Sequence, residues 1–414
     1  MRFKIDFWLK FSIVNLFLVA LLGMLMRYKI GFDFSYFVQK HLLHSHSHFA
    51  FAGWISHTLM TLMIYSLKNK IPEISVPKYT GLIIANLVCS YGMLVFFIVQ
   101  GYAFWSILFS TLSILTSYVF AYFYVKDLKH ISGKTSKNWY KGALFFYVIS
   151  SIGTFFLAYT VASGDFMFNP YLASIYYYLH FQYNGWFLFA CIGLLADFLR
   201  LNNSENKIFD KAYRWLFAST LVTYSLSVLW LKFPVWLYII TIIFSVIQFA
   251  VWIGMLVLVI RKKTEILKSH PLFLQYFLKF AGLCLTLKFV FQLLSVIPSL
   301  SQFVFGVRSI IIAYLHLILL AVISLFLLYY IYANKLLTLN KTSKIGLIGF
   351  VVGIFLNEFI LAIQGMSAFG YILIPKINTM LFVAALVMVL SLVFVVFGSL
   401  QKNKESLDST NASV

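Results

Sequence analysis

Histidine is the residue type with the most chemistry to offer in this chain, and its placement is patterned. His48 opens the run His48-Phe-Ala-Phe-Ala-Gly53-Trp54, and His180 opens His180-Phe-Gln-Tyr-Asn-Gly185-Trp186. A weaker third copy, His316-Leu-Ile-Leu-Leu-Ala321-Val322, replaces Gly-Trp by Ala-Val. The copies start at 48, 180 and 316, so they lie 132 and 136 residues apart, and a near-constant period is the mark of an internal repeat. Upstream of the first copy stand His41, His44 and His46. On a helix, His41, His44 and His48 share one face, at i, i+3 and i+7, and His46 points elsewhere. Imidazole inside a membrane span is costly and rare. In its neutral form it ligates iron, copper and zinc. Intramembrane carboxylates are few, so the chemistry this pattern offers is metal or haem ligation rather than a proton relay. The plainer use, hydrogen bonding between helices, suits His41 and His57 better. His44 and His46 offer a surface copper or zinc site.

The elements that must position these rings are membrane helices. Of 414 residues, 62% are hydrophobic and 11% charged, against about a quarter charged in soluble proteins. Apolar runs of span length recur from end to end, so the chain reads as a polytopic all-α membrane protein. Twelve spans are expected, roughly 7–27, 43–67, 80–100, 103–125, 142–163, 173–199, 212–231, 235–260, 272–297, 306–333, 345–364 and 377–399. They form a single transmembrane domain over 1–400, in three pseudo-repeats of four, roughly 1–130, 131–265 and 266–400. A polar tail, 401–414, reads as disordered. The net charge of +20 is no nucleic-acid footprint, because Lys and Arg collect in alternate short loops and the other loops are nearly bare. That asymmetry places both termini on the cytoplasmic side of a bacterial inner membrane. The start lacks a small-residue cleavage site, so its first apolar run reads as a retained helix. Cys89, Cys191 and Cys284 stand singly in apolar segments and suggest neither a disulfide framework nor a thiolate metal site.

In this topology the second, sixth and tenth spans all run inward. Their histidines then share one depth, roughly 10–15 Å below the outer face at ~1.5 Å per residue. Gly53 and Gly185 leave room for a neighbouring helix or a flat ligand.

Three four-helix units with histidines in helices two, six and ten resemble subunit I of the haem–copper oxidase superfamily, which includes the nitric oxide reductases. The resemblance covers nearly the whole chain on short motifs. It implies a low-spin haem b with ligands from helix two (His48 as the best match, His44 or His46 as alternatives) and helix ten (His316). It implies Tyr314 at the position of the high-spin haem ligand and His180 at one ligand position of a second metal, copper. The family's pattern is broken in three places: Tyr314 replaces the histidine of the high-spin haem, Asn184 replaces a glutamate, and the seventh span contains no histidine. The spacing of His46, His48 and Gly53 is also similar to the NnrS family of twelve-span haem proteins linked to nitric oxide stress. The implied function is electron transfer, or a response to nitric oxide or oxygen, without full oxygen reduction. Quinol or a small gas is the implied partner beside the lipid bilayer.

Two further features carry expectations. Arg308, eight residues before His316, suits a haem propionate, and Lys288 and Glu358 suit an ion pair between adjacent spans. A reading from another class is a copper- or zinc-handling transporter built on His41, His44, His46 and His48; a third is a structural membrane subunit.

Overall fold

A computed structural model describes residues 3–32, 34–131, 133, 135–163, 168–231, 233–301 and 307–401. The tail beyond Gln401 lies outside the described residues, as do parts of two bare loops, 164–167 and 302–306. Bilayer hydrocarbon offers the backbone no hydrogen-bond partner, so an apolar chain of this kind must satisfy its amides within helices. The described residues contain no strand. The long helices are α1 (Ile5–Gly31), α2 (Gln39–Lys70), α3 (Val76–Gln100), α4 (Phe104–Asp127), α5 (Thr135–Ala162), α6 (168–198) and α7 (Asn203–Val222, continued by a 3-10 turn over Thr223–Val228). They are followed by α8 (Val235–Lys262), α9 (Leu272–Leu294), α10 (Arg308–Ala333), α11 (Lys341–Phe369) and α12 (Ile377–Leu400).

Ten of these, all but α6 and α7, are long and apolar enough to cross a membrane. Their lengths of 23–32 residues exceed the ~20 that ~30 Å of hydrocarbon requires. Both exceptions have a local cause. The first half of α6 carries Tyr176, Tyr177, Tyr178, His180, Gln182 and Asn184, and its centre from His180 to Leu194 is wholly buried. Its polarity faces protein rather than lipid, which lowers its hydropathy without making it a surface helix. The opening of α7 holds Glu205, Lys207, Asp210, Lys211 and Arg214, so its apolar part is short.

Three helices form the centre. The apolar window of α2 is 83% buried, against 22–50% for the other nine span-length helices. Trp54 of α2 donates through Nε1 to Ser324 Oγ of α10 at 2.8 Å, and Trp186 of α6 donates to Ser56 Oγ of α2 at 3.0 Å. The centres of α6 and α10 also touch. Around these, α1 and α3 pack on α2, α5 and α7 on α6, and α9 and α11 on α10, with α12 lying against α1 and α11.

The helix ends that carry the lysine-rich loops are pinned by ion pairs. Lys70 of α2 meets Asp197 of α6 at 2.5 Å, Lys78 of α3 meets Asp127 of α4 at 2.6 Å, and Lys263, just past α8, meets Glu205 of α7 at 2.7 Å. Glu205 also completes a capping box, accepting from the Asn202 amide at 2.9 Å while Asn202 Oδ1 accepts from the Glu205 amide at 3.0 Å. That exchange satisfies two of the orphan amides at the start of α7. Asp197 further accepts from Ser66 at 2.6 Å and Tyr140 at 2.8 Å, joining α2, α5 and α6 at one carboxylate.

Candidate functional site

Each of the three repeated histidines is followed by a π-helical segment inside its α-helix. The segments are Ala50–Ser56 after His48, Phe181–Phe187 after His180 and Leu317–Ser324 after His316. π-helical turns are rare and concentrate at functional sites. The two tryptophan bonds follow the same register: each donor stands six residues past its histidine, and each serine acceptor eight past. The link that would complete the cycle runs from position 322 to position 188. Val322 and Leu188 occupy those places, so donor and acceptor are both replaced by apolar side chains.

The glycines differ in what they admit. A Cβ on Gly185 would collide with Phe146 of α5, so this glycine lets α5 and α6 approach. On Gly53 it would lie 2.6 Å from the Phe49 ring one turn earlier, so that space is filled from within α2.

The histidines of α2 diverge. His46 turns to α1, where its Nδ1 donates to the Val19 carbonyl at 3.0 Å and its ring passes beside Gly23. His48 turns to α3: its ring stacks on Phe97 with centroids 4.4 Å apart, and its Nε2 shares a 3.0 Å hydrogen bond with the Tyr102 hydroxyl. His44 lies edge-on to Tyr102 at 4.5 Å. His41 Nδ1 bonds the Ile98 carbonyl of α3 at 3.3 Å, and His57 Nε2 bonds the Trp8 carbonyl of α1 at 3.3 Å. Both thus serve as cross-links between helices. His44 and His46 face different neighbours and do not converge on one ion. Among the described residues, no group of three or more His, Cys, Asp or Glu is placed to hold a metal.

His316 donates from Nδ1 to the Ile312 carbonyl of its own helix at 2.9 Å. The electrostatic neighbours of its ring are Arg27 of α1 and His46 of α2. Arg27 in turn lies in the fields of Glu358 of α11 and Arg308 at the head of α10. Polar groups of α1, α2, α10 and α11 therefore lie in one another's fields, and His46 rather than His48 is in the field of His316. The two rings have the same bonding pattern: Nδ1–H is held by a main-chain carbonyl, and no hydrogen bond to Nε2 is seen among the described residues. A carbonyl on one ring nitrogen fixes the tautomer and leaves the lone pair of the other free for a metal.

His180 is different. Its Nε2 donates to the Thr220 carbonyl of α7 at 2.8 Å, and its Nδ1 accepts from Asn184 Nδ2 at 3.1 Å. Both nitrogens are engaged, so the ring has no lone pair to give a second metal. Tyr314, two residues before His316, lies edge-on to Tyr183 of α6, with centroids 6.3 Å apart.

The expected pairing of Lys288 with Glu358 is not formed. Lys288 Nζ donates to Gln292 Oε1 at 2.6 Å, Glu358 Oε1 accepts from Asn357 at 3.1 Å, and no ion pair joins the two. Glu358 has Arg27 as its charged neighbour instead. Arg27 was the site residue hardest to see from sequence. It stands near the end of an apolar run beside Lys29 and reads as one more flanking cation.

No protein-family model matches this chain, and no characterised protein matches it.

Proposed function

We propose that this chain is a multi-pass membrane protein that binds one low-spin haem b, with His46 of α2 and His316 of α10 as the axial pair. The observation that carries the reading is their shared bonding pattern, with each ring in the other's field: two imidazoles anchored through Nδ1, each with a free Nε2. A haem held there would supply a one-electron couple. Arg27 and Arg308 bring positive charge to the same region and suit its carboxylates. Gly23 leaves the His46 ring space on the α1 side: a Cβ there would lie 3.3 Å from the imidazole Cε1.

The three π-helical segments, the two register-matched tryptophan bonds and the mutual packing of α2, α6 and α10 support three pseudo-repeats and twelve crossings, with α6 and α7 as the polar members. The lysine-rich ends support cytoplasmic termini in a bacterial inner membrane. The engaged nitrogens of His180 and the histidine-free α7 do not fit a second metal, so the function is electron transfer or a response to a small gas such as nitric oxide. A copper- or zinc-uptake cluster fits less well, because His46 turns to α1, away from His41, His44 and His48, and the His48 Nε2 is engaged by Tyr102.

Extraction of haem from the purified protein tests the proposal. One haem b per chain is expected. A colourless, folded preparation that takes up no added haemin would overturn it.

A further inference from the structure

The cations at the lysine-rich helix ends divide into two groups. Lys70, Lys78 and Lys263 are held by Asp197, Asp127 and Glu205. Lys126 at the end of α4, Lys129 in the 3-10 turn that follows it (Leu128–His130) and Lys141 near the start of α5 form no ion pair among the described residues. The carboxylate nearest to them in sequence is already engaged: Asp127 accepts from Lys78 Nζ at 2.6 Å and from the Tyr79 hydroxyl at 2.7 Å, both of α3. Lys126, Lys129 and Lys141 instead line one groove between α4 and α5, with a volume of about 720 Å³. That size falls within the ~300–1,000 Å³ of small-molecule sites.

Most of the remaining wall is apolar, with Ala121 and Val125 on α4 and Leu144, Phe145 and Val148 on α5. Tyr122 and Phe145 on that wall are 63% and 44% exposed, so the groove opens sideways to lipid rather than into the core. Away from the lysines, the Tyr118 hydroxyl and Ser151 Oγ share a hydrogen bond that ties α4 to α5. Tyr118 stands eight residues before Lys126, so the groove reaches roughly 12 Å from the lysines at ~1.5 Å per residue. One leaflet of a ~30 Å hydrocarbon core is about 15 Å deep. The charge therefore lies at the level of lipid headgroups and the apolar wall at the level of acyl chains. We propose that this groove binds one anionic phospholipid, its phosphodiester on Lys126, Lys129 and Lys141 and an acyl chain along Ala121, Val125, Leu144 and Val148. The headgroup supplies the negative charge that no side chain supplies there, and each lysine close to it should contribute about fivefold in affinity. A zwitterionic lipid fits the same apolar wall but brings the lysines no net charge, so selectivity comes from the headgroup.

The test is native mass spectrometry of the purified full-length protein in detergent, titrated with phosphatidylglycerol or with phosphatidylcholine of the same acyl chains. The first phosphatidylglycerol should bind at least tenfold more tightly than the first phosphatidylcholine. The combined change Lys126→Gln, Lys129→Gln and Lys141→Gln should abolish that preference. Lys207→Gln, Lys211→Gln and Lys268→Gln together should keep it, because they remove the same charge from exposed lysines at the same set of helix ends. Val148→Trp, which fills the groove and leaves the lysines in place, should weaken phosphatidylglycerol at least fivefold. Equal affinity for the two lipids would overturn the proposal, as would a preference that survives the first triple change or is lost equally in the second. Unchanged binding in Val148→Trp would overturn it too. So would displacement of the lipid by soluble glycerol phosphate at comparable concentration, which would mark a site for free phosphate.

Discussion

The ring nitrogens separate these histidines more sharply than their depth does. His46 and His48 are two residues apart, about 200° around the helix, and so meet different neighbours: a main-chain carbonyl of α1 for one, Phe97 and Tyr102 for the other. Sequence reveals the histidine register, and it picks out His316 and His180. It cannot show which nitrogen is already engaged, because the engaging groups, Val19 and Thr220, come from other helices and act through their backbone. The same limit misled the reading of Lys288 and Glu358, which looked complementary by charge but face different partners. Asp197 gives a prediction at this scale. It accepts from Lys70, Ser66 and Tyr140 together. Asp197→Asn should destabilise the protein by about 2 kcal/mol, below the full cost of breaking a buried pair because Lys70 is still partly exposed. The double change with Lys70→Met should recover part of the loss in thermal melts, and no recovery would mean the pair is not coupled.

At the scale of elements, the recurring feature is a helix with a histidine in its first half and a π-helical segment just after it. The H-F-x-x-x-G-W pattern made two of the three copies legible. The third, ending in Ala321-Val322, lacks the Gly-Trp pair, and what it shares with the others in the structure is a π-helical segment, Leu317–Ser324. The π turns leave no signature in hydrophobic periodicity, because every residue from Ala50 to Ser56 and from Phe181 to Phe187 is buried and has no polar face to show the phase. α6 escapes a hydropathy count for a different reason, the buried polar residues His180, Gln182 and Asn184 at its centre. Gly185→Ala should force α5 away through Phe146 and cost about 1–3 kcal/mol. Trp186→Phe, which removes only the bond to Ser56, should cost about 1 kcal/mol. Thermal melts in which Trp186→Phe is the more damaging of the two would contradict this ranking.

The whole molecule arranges α2, α6 and α10 at the centre and puts its ion pairs at one set of helix ends. The loop lysines made that sidedness legible, since charge in short loops is independent of how the helices pack. Tyr371, between α11 and α12, is 94% exposed and lies at the end opposite to these lysines. The three native cysteines are buried and should give little background. Tyr371→Cys should therefore react with a membrane-impermeant maleimide in intact cells, and Lys129→Cys should react only after the cells are opened. The reverse pattern would invert the topology.

The central claim is the haem with His46 and His316 as its axial ligands, and the visible spectrum of the dithionite-reduced protein tests it most directly. The unaltered protein should show the narrow bands of a six-coordinate b-type haem. His46→Ala and His316→Ala should each abolish them while far-ultraviolet dichroism shows the helices intact. His48→Ala and His180→Ala should leave them nearly unchanged. Bands that vanish in His48→Ala but persist in His46→Ala would contradict the account.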